Sequence, residues 1–291
     1  MKINQDWHIH TESSCDEACM KMEDLVHEAK RLGIQNFGVS DHLHTDWNMP
    51  DIVNSKKQYD LLLSKTPELK QRFHFGVEVS CVSDWELDKI RRGDYSGDIT
   101  YGLRRAAPQS AKPAVAIDRE IIEEMGISYV VGGVHWPLYG EFDRNKLIRD
   151  YHRQYMFLAE NPDVDILAHY LWWLERKECE NPFADFGNIP ASMTQELAAA
   201  LKENSCAYEI NLEAMLYPEL LTEKFKCEYL EYAALLQSMG VVLSIGSDCH
   251  SRHLTEIDYE TYADIIEKAG IDLNKNIFCV SRKSIVSKSV V

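Results

Sequence analysis

The chain has 291 residues, of which 45% are hydrophobic and 27% charged, and its formal net charge at pH 7 is −16. This size and balance are typical of a globular protein with a sizeable core, while the acidic excess disfavours binding to a nucleic acid backbone. Because its start lacks a signal-peptide pattern and no apolar run approaches the roughly 18 residues of a membrane span, we expect a cytoplasmic protein without membrane contact.

Short apolar or β-branched runs alternate along the chain with helical patterns, which is the order expected of parallel βα units. Seven strands are predicted, at Gln5–Ile9, Asn36–Ser40, Phe73–Val79, Tyr129–Val134, Asp165–Ala168, Ala207–Ile210 and Val241–Ile245. The predicted helices are Met22–Leu32, Arg119–Met125, Lys146–Ala159, Ser192–Leu201, Glu228–Met239 and Tyr259–Ala269. We see no repeat or low-complexity linker, so residues 1–291 are predicted to form a single domain. The exception is a stretch rich in Gly, Pro, Ser and Arg at about 89–113, which is predicted to be a long irregular insertion.

Histidine and acidic side chains occur at the carboxyl end of nearly every predicted strand. The first strand is associated with His8 and His10, and Asp16 follows six residues later. The later strands end in, or are followed by, Asp41 and His42, Glu78, His135, His169, Asn211, and Asp248 with His250. In a parallel α/β barrel these strand ends lie on one face, so residues far apart in sequence would share one pocket.

Nine of these side chains are typical metal ligands, which is more than a single ion takes from a protein while leaving room for water and substrate. The candidates are His8, His10, Asp16, His42, Glu78, His135, His169, Asp248 and His250. Imidazole and carboxylate ligands without thiolates suit Zn, Mn or Fe, so two or three divalent ions are expected. His27, His74 and His152 fall outside this pattern, and the sequence leaves open whether His44 and His253 support the site or face solvent.

Seven sequence blocks in this order cover nearly the whole chain: DWHIHTESSCD, SDHLH, FGVEVS, GGVHW, ILAHY, YEIN and GSDCH. Together they resemble the PHP family, named for polymerase and histidinol phosphatase domains, and within it the histidinol-phosphate phosphatases most. The resemblance implies an α/β fold, a distorted seven-stranded (β/α)7 TIM-like barrel, with a trinuclear metal centre. By the same resemblance, the first ion is bound by His8, His10, Glu78 and Asp248, the second by Glu78, His135 and His169, and the third by Asp16, His42 and His250.

The chain departs from these relatives at the positions that face their substrate. Where they usually have Phe after the GxVH block, this chain has Trp136 followed by Pro137. Where they continue the AH block with an acid and basic residues, this chain continues with YLWWLERK. The resemblance is therefore closer for the metal ligands than for the substrate pocket, and the substrate can differ from histidinol phosphate.

The predicted function is a metal-dependent phosphoesterase that hydrolyses a small phosphate monoester, with histidinol phosphate as one candidate. A hydroxide bridging two of the ions would attack phosphorus, and Asp248 or His250 would move the proton of the leaving alcohol. Arg176 and Arg252 are predicted to bind the phosphate, with Arg104 and Arg105 as further candidates. Tryptophans at 136, 172 and 173 are candidates for an apolar wall or for core packing.

Three other functions stay open at the level of sequence. The same barrel could hydrolyse a carbon ester or amide, as amidohydrolases do, or act as a nucleotide or oligonucleotide phosphodiesterase, although the acidic charge disfavours a polymeric substrate. A domain kept only for binding would not be expected to retain nine ligands. The oligomeric state is left open.

Overall fold

The computed structural model describes residues 2–140, 143–173, 181–217 and 221–280. Its strands are β1 (Gln5–Asp6), β2 (Asn36–Val39), β3 (His42–Leu43), β4 (Phe73–Ser80), β5 (Val82–Ser83), β6 (Pro113–Ala114), β7 (Tyr129–Gly133), β8 (Ile166–Leu167), β9 (Ala207–Asn211) and β10 (Leu243–Gly246). Its α-helices are α1 (Met22–Leu32), α2 (Met49–Lys65), α3 (Asp84–Arg91), α4 (Arg119–Met125), α5 (Arg144–Glu160), α6 (Ala191–Asn204), α7 (Glu213–Leu216), α8 (Glu223–Ser238) and α9 (Tyr259–Lys268). Within these ranges, none of the helices is long and apolar enough to cross a membrane.

Seven parallel strands form a nearly closed barrel with helices between them, in the order β1-β2-β4-β7-β8-β9-β10. The short strand β3 follows β2 in the chain and pairs with the carboxyl end of β4, at Glu78 and Val79. The first and last strands meet through hydrogen bonds from Trp7 N to Ile245 O (2.9 Å) and from Asp248 N to His8 O (2.7 Å). The predicted seven-stranded (β/α)7 TIM-like barrel is therefore confirmed, and all seven strand ends lie on one face.

Large aromatic side chains fill the barrel interior away from that face. The ring of Trp7 contacts those of Tyr129 and Phe278 at centroid distances of 5.5 and 5.6 Å. Tyr129 requires glycine on two neighbouring strands, because a Cβ atom at Gly38 or Gly76 would lie 2.3 or 2.4 Å from its side chain. Because aromatic side chains pack this part of the interior, a polar site can form only at the carboxyl ends of the strands.

The structure corrects the predicted elements at three places. Helix α2 was not predicted; it buries Ile52, Tyr59 and Leu62 on a sparse apolar face. Helix α3 extends to Arg91, so the irregular stretch begins after it rather than at residue 89. Helix α8 begins at Glu223 and not at residue 228, because the Thr222 side chain accepts a hydrogen bond from the third residue of the helix.

The loop between β7 and α5 is held by a buried carboxylate. Asp150 accepts a hydrogen bond from Leu138 N at 2.8 Å, and burial raises its pKa to about 6. Because this folded-state pKa exceeds the ordinary value of 3.8, the stabilisation from the bound proton is complete below about pH 4 and is lost as the pH rises through 6. In Asp150→Asn, which keeps an acceptor for Leu138, this loss should be absent. We expect the unfolding free energy of the variant relative to wild type to rise by about 1 to 3 kcal/mol between pH 4 and pH 7.5.

Urea unfolding of both proteins at several pH values measures this difference, in which the titration of all other groups cancels. An unchanged difference between the two proteins across this range would mean that the Asp150 carboxyl group is not desolvated in the folded state.

Candidate metal centre

Glu78, near the carboxyl end of β4, is fully buried and lies among five imidazole rings. Because β4 lies between β2 and β7 in the barrel, the Glu78 carboxylate faces histidines from the strands on both sides of β4. The nitrogen atoms within 3.5 Å of the carboxylate are, on Oε2, His42 Nδ1 (2.8 Å), His8 Nε2 (3.2 Å) and His10 Nε2 (3.5 Å), and, on Oε1, His169 Nε2 (2.9 Å) and His135 Nε2 (3.1 Å). The carboxylate of Glu78 on β4 thus contacts imidazole rings from the ends of four other barrel strands, β1, β2, β7 and β8.

Two further carboxylates extend this cluster toward solvent. Asp248 Oδ1 lies 3.2 Å from His10 Nε2 and 3.5 Å from His8 Nε2. Asp16 Oδ2 lies 2.5 Å from His250 Nε2 and 3.1 Å from His42 Nε2. The structure therefore brings all nine predicted side chains into one connected cluster.

Three overlapping groups within the cluster have donor atoms that lie within 4.8 Å of one another. They are His8, His10 and Glu78; His42, Glu78 and His135; and His10, Asp16, His42 and His250. Several of the donor atoms are buried and, although they lie close to one another, form no well-oriented hydrogen bond, namely His8 Nε2, His10 Nε2, His42 Nδ1, Asp16 Oδ1 and Glu78 Oε2. Buried polar atoms without partners are costly unless something else satisfies them, and a bound cation would do so. These clusters can hold divalent metal ions.

Burial and charge set the protonation of these side chains. Burial favours the neutral carboxyl group, but the neighbouring His42, His8 and His135 outweigh it and hold the pKa of Glu78 well below its ordinary value. Burial, followed by the neighbouring His250 and His42, lowers the pKa of His10 to about 3. Burial also acts to lower the pKa of His42, but the neighbouring Glu78 and Asp16 outweigh it and raise this pKa to about 10. A metal ion that binds His42 would therefore displace a proton from the ring.

Two residues of the cluster have backbone conformations that non-glycine residues rarely adopt. The φ angles of His169 and Asp248 are +25° and +60°. Left-handed conformations cost on the order of 1 kcal/mol or more per residue and persist where surrounding contacts enforce them. In this structure the enforced geometry turns both side chains from the strand ends of β8 and β10 toward Glu78 and His10.

Glu209, a residue that the sequence analysis missed, supports the cluster from β9. Its Oε1 lies 2.6 Å from His8 Nδ1, and its Oε2 accepts hydrogen bonds from His169 N (2.8 Å) and Asn211 Nδ2 (3.0 Å). A carboxylate on the second ring nitrogen of a histidine orients the ring and leaves Nε2 facing the metal. The sequence did contain a sign of this role. Glu209 lies within a buried strand, two residues before Asn211, and a buried acid is rare unless it is paired with another polar group.

Ser80 supports His135 in a similar way. Its Oγ lies 2.7 Å from the Nδ1 atoms of both His135 and His44. The His44 ring stacks on that of His42 at a centroid distance of 4.6 Å. His44 therefore belongs to the surroundings of the cluster, whereas His253 pairs with Glu28 of α1 through a contact of 2.7 Å.

Gly133, at the end of β7, leaves the space that this cluster occupies. A Cβ atom there would lie 2.6 Å from Glu78 Oε1 and 2.7 Å from His135 Cε1. We expect Gly133→Ala to displace Glu78 and to lower zinc affinity by about tenfold or more, in line with the effect of disturbing groups around a metal site. Competition with a chromophoric chelator measures this affinity.

The adjacent glycine is the control, because a Cβ atom at Gly132 would instead meet Val164 at 2.9 Å and Leu158 at 3.0 Å. Gly132→Ala should cost about 1 to 3 kcal/mol of stability through overpacking while retaining zinc affinity. Equal zinc affinity in the two variants would contradict the assignment of Gly133 to the site.

The predicted tryptophans and arginines occupy different places. The rings of Trp136 and Trp172 lie 5.5 and 5.6 Å from that of His135, at the edge of the cluster. Trp173 instead packs in the core against Tyr151 at 5.7 Å. Arg252 is exposed and makes no hydrogen bond or ion pair with any part of the chain that the structure describes. Arg176 lies outside the described residues.

Comparison with known proteins agrees with this fold. A family model described as PHP domain matches residues 6–213. A histidinol phosphate phosphatase from Lactococcus lactis, solved with Zn, L-histidinol and phosphate, aligns with a TM-score of 0.59 over 92% of this chain and 94% of its own, at 16% identity. A candidate histidinol phosphatase from Listeria monocytogenes aligns with a TM-score of 0.60 over 89% of this chain and 99% of its own, at 14% identity. No curated protein matches the chain in sequence.

Proposed function

This chain belongs to the PHP domain family, and from that premise we propose that it is a metal-dependent phosphoesterase that hydrolyses a small phosphate monoester. The observation that carries the proposal is the convergence of five imidazole nitrogens on the carboxylate of Glu78, with Asp16 and Asp248 on the side of the cluster that reaches solvent. Several cations held close together suit phosphoryl transfer, in which negative charge on oxygen must be neutralised.

We propose that two or three divalent ions bind here, with Zn, Mn and Fe as the candidates that this ligand chemistry suits. Their ligands would be His8, His10, Glu78 and Asp248 for the first, Glu78, His135 and His169 for the second, and Asp16, His42 and His250 for the third. The similar phosphatase from Lactococcus lactis was solved with Zn, which supports zinc as the first metal to test.

When bound, divalent ions lower the pKa of water and neutralise the charge of a phosphoryl group. The protein must then admit the substrate from the accessible side of the cluster. The side chains of His8, His10 and Glu78 are fully buried, whereas those of Asp248 and His250 are 13% and 37% exposed. The substrate would therefore enter beside Asp248 and His250.

We propose that Asp248 and His250 transfer the proton that the leaving alcohol requires. His250 Nδ1 lies 2.8 Å from the main-chain oxygen of Asp248, to which an Nδ1–H group would donate, and its Nε2 lies 2.5 Å from Asp16 Oδ2. These contacts hold the ring at the accessible edge of the cluster. Because both ring nitrogens of His250 are engaged in these contacts, the Asp248 carboxylate, which is 13% exposed, would exchange the proton with the substrate while His250 holds it in place.

The substrate is proposed at the level of its class. The Lactococcus lactis structure contains L-histidinol and phosphate, which supports a small phosphorylated substrate for this chain. The partly exposed ring of Trp172, 5.6 Å from that of His135, favours a substrate with an apolar or ring-containing leaving group, whereas Trp136 is buried. Arg252 remains a proposed contact for the phosphate or for another anionic group of the substrate.

A panel of phosphate monoesters, including histidinol phosphate, tests the proposal with the Zn, Mn and Fe forms of the protein. We expect hydrolysis of one or more monoesters that disappears in the presence of a chelator and returns on addition of metal. Hydrolysis of p-nitrophenyl acetate but of no phosphate ester would indicate carbon-ester chemistry instead. Release of nucleotides from single-stranded DNA without monoester hydrolysis would indicate a nuclease.

A further inference from the structure

Arg104, in the irregular stretch that follows α3, forms no ion pair with an acidic residue that the structure describes, although acidic residues outnumber basic ones by 47 to 31 in the sequence. Its one hydrogen bond to a described residue runs from Nε to the main-chain oxygen of Tyr101, at 3.3 Å. Glu86 and Asp98 lie within electrostatic range, but neither forms an ion pair with it. Within the described ranges, both terminal nitrogen atoms of the guanidinium group therefore have no acceptor.

Two aromatic rings hold this guanidinium group in place. Its central carbon lies 4.5 Å from the ring centroid of Tyr101 and 5.2 Å from that of Trp136. Arginine packs on aromatic rings through its flat face, and its five N–H groups lie around the edge of the plane. The rings therefore orient the group without using the donors that could bind an anion.

The same two rings connect Arg104 to the metal centre. The ring of His44 lies 5.5 Å from Tyr101 and 5.2 Å from Trp136, between centroids, and 4.6 Å from the proposed ligand His42. Trp136 is adjacent to the proposed ligand His135, with their rings 5.5 Å apart. The guanidinium group thus packs on the same two rings that border the histidines of the cluster.

Contacts on both sides of Arg104 fasten its loop at this position. Leu103 N donates a hydrogen bond to the buried Glu86 side chain, and Ala107 N donates one to Leu138 O, which belongs to the loop that carries His135. Between these contacts Arg104 has a φ of +28°, a conformation that non-glycine residues rarely adopt. The loop therefore places this side chain by specific contacts on two elements of the barrel.

We propose that Arg104 binds the phosphoryl group of the substrate, with its terminal N–H groups on the phosphoryl oxygens that the metal ions leave free. A guanidinium fork matches two oxygens of a phosphate, and two parallel charge-assisted hydrogen bonds result. The irregular stretch would then provide the selectivity for phosphate esters over uncharged esters. This inference rests on the proposed phosphoesterase function.

Two substitutions test it against a control in the same region. Arg104→Met keeps a long apolar side chain and removes the charged group, and Arg104→Lys keeps the charge and removes the fork. The control is Arg92→Met, because Arg92 is 73% exposed and pairs with Asp88 on the surface. For each zinc-loaded protein, calorimetry measures the Kd of inorganic phosphate, and metal analysis verifies that the zinc content is unchanged.

We expect Arg104→Met to raise the Kd of phosphate by about tenfold to a hundredfold, the range for losing hydrogen bonds to a charged group. Arg104→Lys should recover only part of this affinity, and Arg92→Met should match wild type. Steady-state kinetics should agree, with a higher KM for a phosphate monoester in Arg104→Met.

Each other outcome overturns a specific part of the proposal. Wild-type affinity for phosphate and wild-type KM in Arg104→Met would overturn the role of Arg104 and leave the phosphoesterase function intact. An equal loss of activity on p-nitrophenyl acetate would show that Arg104 supports the loop and not the phosphate. A wild-type protein that retains its zinc but neither binds phosphate nor hydrolyses any monoester would overturn both proposals.

Discussion

Substituting Glu78 by Gln should lower turnover of a phosphate monoester by at least about a thousandfold and remove much of the bound metal. The carboxylate is the shared contact of five imidazole nitrogens, each within 3.5 Å of one of its oxygens. An amide has a single weaker oxygen ligand, and its NH2 group would face nitrogen atoms that need a cation. The loss should therefore affect two ions together, because Glu78 is proposed to bridge them.

Metal analysis of the desalted protein and steady-state kinetics at saturating metal measure these two effects. The matched control is Glu28→Gln, because Glu28 is also buried beside a histidine, with its Oε1 2.7 Å from His253 Nδ1, but belongs to α1. The control should keep its metal and its turnover. Full activity in Glu78→Gln with a full complement of metal would contradict the role of Glu78 as a shared ligand.

The second large effect is expected at Glu209, which touches no proposed metal position directly. Glu209→Gln should weaken zinc binding by about 10- to 100-fold, because the hydrogen bond that orients His8 loses its charged acceptor. Gln can still accept the hydrogen bonds from His169 N and Asn211 Nδ2, so the fold should be retained. Zinc affinity measured by chelator competition, together with urea unfolding of the metal-free protein, separates these two effects.

The control for this substitution is a carboxylate–histidine pair of the same kind on the protein surface. Glu196 Oε2 lies 3.0 Å from His152 Nε2, and the Glu196 side chain is 60% exposed. Glu196→Gln should leave zinc affinity unchanged within about twofold, because an exposed pair contributes little. If both variants retained the wild-type affinity, Glu209 would be a structural acid with no influence on the metal ions.

The ligand positions could be predicted from the sequence because they depend on a simple rule of architecture. Parallel strands in a barrel all end on one face, so a histidine or an acid at the end of each predicted strand is sufficient to predict their meeting. His8 and His169 are far apart in the chain, yet both nitrogen atoms reach the carboxylate of Glu78. This prediction required only the residue at which each strand ends, and not the residue at which it begins.

Other features could not be predicted in this way because they depend on contacts between distant segments. Helix α2 has a sparse apolar face, and its burial is decided by the barrel against which it packs. The position of Arg104 depends on the hydrogen bonds that its neighbours make to Glu86 and to the loop after β7. The irregular stretch has no helical or strand periodicity from which these contacts could be predicted. Glu209 lies inside a predicted strand, where the side chain it contacts is decided only by the closure of the barrel.

The most direct test is a crystal structure with anomalous difference data collected at the absorption edge of the bound metal. We expect two or three peaks, each about 2 Å from its ligand atoms, with one peak beside His8, His10 and Asp248 and another beside His135 and His169, both touching Glu78. A map from metal-supplemented crystals with no peak inside this cluster would contradict the proposed metal centre and the hydrolytic function that depends on it.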